Sequence, residues 1–515
     1  MTSIQIGRYV TSFGFRYGVL CALVAVAFSV SSKELARETS RELQNAIEQA
    51  RRGANVPGIA VAVVNSDSIL FTNGFGVRSQ SSGKPVDEHT LFAIASVTKT
   101  FSATAAAGQF PKGIDWDSRV VSILPEFRLS EDYVTREVTL RDLASHRTGL
   151  ARGDLLAWAG FDRREIVRRL ANERLDRSFR SGFVYSNVLY TTLAVAMEEF
   201  SEKTWESVVQ EDLLDRAGMS ATLFYGPELL ESENVARKHA VVDYLGAEYQ
   251  ELDFEDPTNR APAGGLYSNA LDMGKWLQAI LRTWQGEGPL LINKAMLEEM
   301  FSPQILFSDP GEYDRFFPDA SLYGYGLGWF VSEYAGEKVV FHAGGGPGVA
   351  ALVAVFPKRD LGFVVFANAK WAIKNVVANL MFDHFLGLPK KDWDSILSDM
   401  DAPQEEIAGF YLEFKKSRIA DAPPSLPLAD YAGEYLHPQY GVASVRFENG
   451  KLSMHWGKKD FKLEHWHFDT FASYDQSLNF GIDTATFALD ASGRPKELTF
   501  FDVSGFVSVP EEDSH

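Results

Sequence analysis

Short β-forming runs stand at two distant places in this chain, and the long stretch between them has helical spacing. Ile59 to Val64 and Ser68 to Phe75 are β-rich and are separated by Asn65-Ser66-Asp67, which is turn chemistry. Trp329 to Tyr334, Glu337 to His342, Ala350 to Phe356 and Gly362 to Phe366 are four more such runs, joined by Gly-rich or charged turns, and read as an antiparallel meander. Between the two groups, segments such as Arg163 to Asn172, Thr191 to Phe200, Trp205 to Ala217 and Asn269 to Leu281 read as helices. Strands that flank a helical middle predict one α+β domain, in which N- and C-terminal strands complete a single antiparallel sheet and helices cover it.

The remaining segments attach to that domain. Glu34 to Arg52 has helical periodicity and stops at Asn55-Val56-Pro57-Gly58. Residues 33–400 are expected to form the main domain, and residues 401–427, where a charged helical stretch gives way to Pro423-Pro424-Ser425-Leu426-Pro427, a linker. From Tyr431 to Pro510 the chain is nearly all short alternating segments with Trp456, Trp466 and many Phe, so residues 428–512 read as a separate small all-β domain, a barrel or a sandwich, with the barrel as the expectation. Because the strands on both sides of the helical middle already complete one sheet, the main domain is expected to fold without the barrel.

The first 32 residues carry Arg8, Arg16 and no acidic residue, followed by the apolar run Gly18 to Val30 and small residues at Ser31 and Ser32. That run is shorter than the roughly 20 residues a bilayer span needs, and it suits the apolar region of a secretory signal, so residues 1–32 are expected to be a signal peptide. A secreted or periplasmic protein with no stable membrane span after signal removal is the expectation. A mitochondrial presequence is the alternative, because Arg with Ser and Thr and no acid fits that as well. Cys21 is the only cysteine and would leave with the leader, so the mature chain would contain neither a disulfide nor a thiol nucleophile. With 50 Lys and Arg against 69 Asp and Glu, the net charge of −19 repels phosphate backbones and makes nucleic acid a poor partner.

Three motifs carry chemistry. Ser96-Val97-Thr98-Lys99 precedes an Ala-rich helical stretch, and residues three apart share a helix face, so Lys99 can reach the Ser96 hydroxyl and, desolvated, act as its base. The same spacing at Ser81 to Lys84, beside Gly83 and Pro85, is an exposed turn, which shows how little this spacing means alone. Tyr185-Ser186-Asn187 offers a phenol for proton transfer and an amide for a substrate carbonyl, or else a satisfied polar loop before a helix. His342-Ala343-Gly344 opens the glycine run Gly345-Gly346-Pro347-Gly348, where backbone N–H groups can approach a ligand unobstructed. A phosphate loop would need a helix next, and the following residues read as strand. His455, His465 and His467 fall in the barrel, where alternation of core and surface positions explains them, so no metal and no cofactor is assigned.

In this order the motifs resemble the serine β-lactamase and penicillin-recognising hydrolase superfamily, most closely the branch of class C β-lactamases, D-Ala-D-Ala carboxypeptidases, D-aminopeptidases and esterases, with its S-x-x-K, Tyr-x-Asn and Lys- or His-x-Gly motifs. Leu91 to Ala95, Leu143 to Leu150, Ala263 to Ser268 and Gly324 to Trp329 are also similar to family stretches, and Tyr431 to Pro510 resembles the lipocalin-like domain often appended. The resemblance implies Ser96 as the acylated nucleophile, Lys99 as its base and Tyr185 as the proton relay. It further implies Asn187, His342 and Gly344 as substrate ligands, and the N–H groups of Ser96 and Gly345 as the oxyanion hole. His146 is read as scaffold of a turn. His342 replaces the Lys of many relatives, which predicts a preference for uncharged acyl substrates and better binding of carboxylates at mildly acidic pH. Pro111 interrupts the helix after Ser96 where relatives usually continue.

These readings describe an exported serine hydrolase acting on small esters, D-residue peptides or other amides, with β-lactams among the candidates. The rival is a non-catalytic secreted binding or extracellular-matrix protein that keeps the fold. The sequence offers no reading of the oligomeric state.

Overall fold

The computed structural model describes residues 40–241, 248–307, 317, 320–370, 372–389, 391, 393, 402–474 and 482–509. The expected leader, with Cys21, lies outside the described residues.

In chain order the strands are β1 (Gly58–Val64), β2 (Ile69–Gly76), the short β3 (Phe92–Ala93), β4 (Lys238–Val241), β5 (Tyr249–Leu252), β6 (Tyr267–Ser268), β7 (Ile305–Leu306), β8 (Tyr323–Tyr325), β9 (Phe330–Tyr334), β10 (Glu337–Gly346), β11 (Val349–Phe356) and β12 (Leu361–Ala367). Eight of them form one sheet in the order β2-β1-β12-β11-β10-β9-β8-β7, and every neighbouring pair is antiparallel. The N-terminal hairpin thus docks on the last strand of the C-terminal meander, with Ile59 opposite Ala367 and Val64 opposite Gly362, as the separated strand runs require.

All seven residues of β1 and all eight of β11 are buried, so these strands lie between two layers rather than on an open face. Alternation sorts them. Ala60, Ala62 and Val64 face a core shared with the helical middle, which includes the helices Thr98–Gly108, Asn187–Ser201 and Ala270–Gln285. Ile59, Val61 and Val63 face the opposite core, filled by Leu43, Ile47 and Ala50 of the helix 40–53 and by the helix Ile373–Leu386. The two terminal helices therefore cover one face and the middle of the chain the other.

A closed barrel of eight antiparallel strands, from β13 (Gly433–His437) to β20 (Val503–Ser508), follows, with β13 pairing β20 to close it. Its strands alternate as a barrel must: Leu452, Met454 and Trp456 point inward while Lys451, Ser453 and His455 do not. The interval read as a linker contains the helix Ala402–Lys416, and its Phe414 stacks on Trp466 of the barrel at 4.7 Å.

The two domains share packing. Leu155, Trp158 and Ala159 of the main domain pack on the barrel core, and Tyr440 of the barrel also packs on the main core. Gln439 Nε2 and the Tyr440 hydroxyl donate to the buried Glu173 carboxylate at 2.7 and 3.2 Å. The sheet argument for an independently folding main domain thus omits a surface that the main domain would expose without the barrel.

Candidate active site

After β3 the backbone enters the left-handed region at Ala95, φ +44°, then forms a 3-10 turn over Ala95–Val97 that runs into the helix Thr98–Gly108. A residue with a Cβ held there costs on the order of 1–3 kcal/mol, and such strain is characteristic of sites that the surrounding structure over-determines. The turn leaves Ser96 partly exposed and places Lys99 one turn deeper, with no exposed surface. Every helix residue from Thr98 to Ala107 is buried, which its Ala- and Thr-rich sequence allows because small side chains let a helix run through a core. The helix ends at Gly108, ahead of Pro111.

The Lys99 amine is held at three points: 3.2 Å from Ser96 Oγ, 2.8 Å from Asn187 Oδ1 and 2.7 Å from the Ala263 carbonyl. Burial pushes its pKa well below the usual 10.5, the nearby Arg152 charge lowers it further, and only Asp154 opposes them. A neutral amine has two N–H bonds and one lone pair. The two carbonyl oxygens can only accept, so they take both N–H bonds, and the lone pair is left for the Ser96 hydroxyl. In its neutral form the Lys99 amine would therefore direct its lone pair at Ser96 Oγ.

The two acceptors come from different parts of the chain. Ala263 lies in the stretch Ala263 to Ser268 singled out above; Ser102 Oγ donates to Pro262 O at 2.6 Å, and Leu266 N donates to Thr98 Oγ1 at 3.3 Å, which fastens that stretch to the Lys99 helix. Asn187 opens the helix Asn187–Ser201. Its amide carbonyl faces Lys99 and its Nδ2 donates to Asp154 Oδ1 at 2.7 Å, while Asp154 also pairs with Arg152. Expected as a substrate ligand, Asn187 is also the link between Lys99 and this carboxylate. Sequence reasoning missed Asp154 and Arg152, which stand far from Asn187 in sequence and belong to no motif.

Tyr185 lies with its ring centroid 4.8 Å from Lys99 Nζ. Beneath it, His146 packs at 4.4 Å and its Nδ1 accepts from Ser186 N at 3.2 Å, so His146 supports the whole Tyr185-Ser186-Asn187 turn. His146 itself has φ +58° and no exposed surface, and burial pushes the pKa of its ring well below the usual 6.5.

His342 departs from expectation. Its ring has no exposed surface; Nδ1 donates to the Ala343 carbonyl at 2.8 Å, and Nε2 then accepts from the Tyr325 hydroxyl at 3.0 Å. Burial pushes its pKa down to about 3, with the Ala343 carbonyl opposing. A ring with both nitrogens engaged inside the core does not read substrate charge, so the expected preference for uncharged substrates and its change at mildly acidic pH lose their basis. His342 instead braces β10 against Tyr325 of β8. Gly344, expected as a ligand, is buried and explains why glycine stands there: a Cβ would overlap the Ile94 carbonyl and lie 3.1 Å from Ser96 N. That close approach puts β10 against the nucleophile's amide, and the exposed Gly345 and Gly346 follow. Pairing of β10 with β9 ends at Phe341 opposite Phe330, before this glycine run begins.

The placement of His342 has a measurable consequence. Between its folded value near 3 and the ordinary 6.5, the unfolded chain binds one more proton than the folded chain, so His342 makes stability fall as pH drops through that window. His342→Gln retains an acceptor for Tyr325 and does not titrate. Its urea unfolding free energy is therefore expected to lose less than wild type between pH 7 and pH 4.5; equal losses would return the acid sensitivity to other groups.

Among the described residues no group of three or more His, Cys, Asp or Glu is placed to hold a metal ion. The barrel histidines have separate partners: His455 pairs with Asp460, His465 with the Phe468 carbonyl and His467 with Ile419 N.

Comparison with known proteins agrees with this geometry. The family model described as Beta-lactamase matches residues 43–384. The chain belongs to the β-lactamase family. A second model, a domain of unknown function (DUF3471), matches residues 417–511. The unguisins hydrolase of Aspergillus violaceofuscus is 25% identical, over 89% of this chain and 87% of its own. Penicillin-binding protein 4* of Bacillus subtilis is 26% identical, over 80% of this chain and 86% of its own. Among solved structures, the octameric penicillin-binding protein homologue from Pyrococcus abyssi has a TM-score of 0.59 at 20% identity, covering 89% of this chain and 97% of that one. The structure of SurE has a TM-score of 0.54 at 19% identity, covering 91% and 99%. These likenesses support the fold, sheet domain and barrel together, and the sequence relatives place the chain among hydrolases and penicillin-binding proteins.

Proposed function

We propose that this β-lactamase-family protein is an exported serine hydrolase that acylates itself at Ser96 and passes the acyl group to water. The orientation of the Lys99 amine carries the reading: two fixed carbonyl acceptors direct its lone pair at Ser96 Oγ. In the reaction Lys99 takes the Ser96 proton as Oγ bonds to the substrate carbonyl carbon, and the oxyanion that forms faces the N–H groups of Ser96 and Gly345. Tyr185, beside the Lys99 amine, carries a proton to the leaving group as its bond to the acyl carbon breaks. Water then attacks the ester with Lys99 and Tyr185 in the reverse roles, restoring Ser96. The substrates are small esters, D-residue peptides or other amides. The names of the relatives, one a hydrolase and one a penicillin-binding protein, support acyl transfer and keep β-lactams in the set.

Intact-mass spectrometry of the protein recovered from its native host, with an activated phosphonate and with a penicillin followed over time, tests the proposal. A chain shortened by about the leader and a stable phosphonate adduct at Ser96 are expected, with penicillin forming a transient adduct. No adduct would instead identify a binding module, a lasting penicillin adduct an enzyme that barely deacylates, and a full-length mass would remove the export assignment. Tyr185→Phe is expected to lower kcat about a hundred-fold or more on an ester with a poor leaving group. An unchanged rate would leave Tyr185 a packing role.

A further inference from the structure

The barrel touches the main domain at the two places from which the acceptors of Lys99 are held. The first is the helix Asp154–Trp158. At its start Asp154 fixes the Asn187 amide; at its end Trp158 meets Phe501 of the barrel at 5.7 Å, the Lys459 amine lies 5.4 Å from the Trp158 ring centroid, and Lys458 N donates to the Trp158 carbonyl at 3.4 Å. The turn at Gly457 comes so close that a Cβ there would overlap the Trp158 carbonyl and lie 2.7 Å from Ala159 backbone atoms. The second place is the segment 255–260, which runs directly into Ala263. Lys458 pairs with Asp256 at 2.8 Å and Lys459 with Glu255 at 3.2 Å. Asn259 ties the two places together, its Nδ2 donating to the carbonyls of Ala157 at 2.7 Å and Phe161 at 3.0 Å.

We infer that the barrel is a positioning element of the active site: by gripping Trp158 and the segment 255–260 it holds Asn187 Oδ1 and the Ala263 carbonyl where they aim the Lys99 amine at Ser96. The inference rests on the proposed role of Lys99. Asn187 has its hydrogen bond to Asp154 at the first turn of a five-residue helix, and a helix that short has little rigidity of its own, so its far end must be held by packing. Trp158 acts through Asp154 and Asn187, and it is a positioning residue. The Lys99 amine faces Arg152, Asp154, Tyr185, Tyr190, His146 and His342 from the elements packed around it. Loosening the helix admits water among these groups and weakens the desolvation that holds the Lys99 pKa down.

The test uses full-length variants. Trp158→Ala is expected to slow acylation by a small activated ester about ten-fold or more, with KM changed less than about two-fold, and to move the acid limb of the pH–rate profile upward as Lys99 returns toward 10.5. Trp158→Phe, which keeps a ring against Phe501, should restore most of the rate and the limb. A folded Trp158→Ala with the wild-type rate and limb overturns the inference. Should that variant not fold, the surface pair decides. Lys458→Glu should slow acylation and raise the limb, and Lys458→Glu with Asp256→Lys should reverse both; no change in the single variant overturns the inference equally. Lys99 ionisation is read in parallel without turnover, from the part of the stability–pH curve that Lys99→Met removes. A narrowing of that part in the loosened variants supports the inference, and an unchanged part overturns it, even if wild type were inert to the phosphonate and only the proposed hydrolysis had failed.

Discussion

Ser96→Ala is expected to abolish labelling by an activated phosphonate and to lower ester turnover by about 10⁴-fold or more. The magnitude follows from removing the atom proposed to form the acyl bond, the groups placed around it being assigned to binding and proton transfer. The described residues contain no cysteine, the chain's single one being Cys21. The nearest hydroxyl along the helix, Thr98, is buried and accepts from Leu266 N. The variant should keep the wild-type melting temperature closely, since Ser96 is partly exposed and its hydroxyl meets only the Lys99 amine among the contacts described above. Labelling that persists on another residue, located by peptide mapping, would sink the assignment.

Lys99→Met is expected to be nearly as damaging, at about 10³-fold or more in kcat/KM, because the proton of Ser96 then has no base within reach. Its second effect separates a buried base from a buried structural cation. Above the pH at which folded Lys99 loses its proton and below 10.5, the unfolded chain holds one more proton than the folded chain, so wild-type stability rises with pH through that window. Lys99→Met does not titrate and should lack this rise, which urea unfolding at a series of pH values reads directly. A structural cation with a raised pKa would give the opposite slope. Identical stability–pH curves for the two proteins would show that Lys99 carries the same charge folded and unfolded, and the base assignment would lose its physical support.

Much of this architecture was legible because it depends on local periodicity. The fully apolar runs Ile59 to Val64 and Ala350 to Phe356 belong to strands buried on both faces, and they are two strands of one sheet with only β12 between them. Helix boundaries were less legible. The helix read from Thr191 begins at Asn187, because a polar residue at a helix start is as compatible with a loop in sequence as with a first turn. The helix Ala402–Lys416 stands inside the interval read as a linker, where Pro-rich composition spoke only for the residues after it.

Of the site, three-residue spacing let Ser96 and Lys99 share a face, but the same spacing at Ser81 and Lys84 means nothing, so the pair was legible only together with the ordered motifs that follow it. Alternation along Tyr431 to Pro510 likewise indicated a small all-β domain, and the pairing of β13 with β20 decided that it closes into a barrel. Only the tertiary structure decided what Lys99 does with its protons. Its acceptors at Asn187 and Ala263 lie 88 and 164 residues away, and spacing carries no information across closed loops of that length. The same holds for His342, whose motif resembles a substrate contact but whose burial on β10, against Tyr325, makes it a brace. A motif names residue types; solvent exposure and partner geometry, which arise when distant segments pack, set protonation and therefore chemistry.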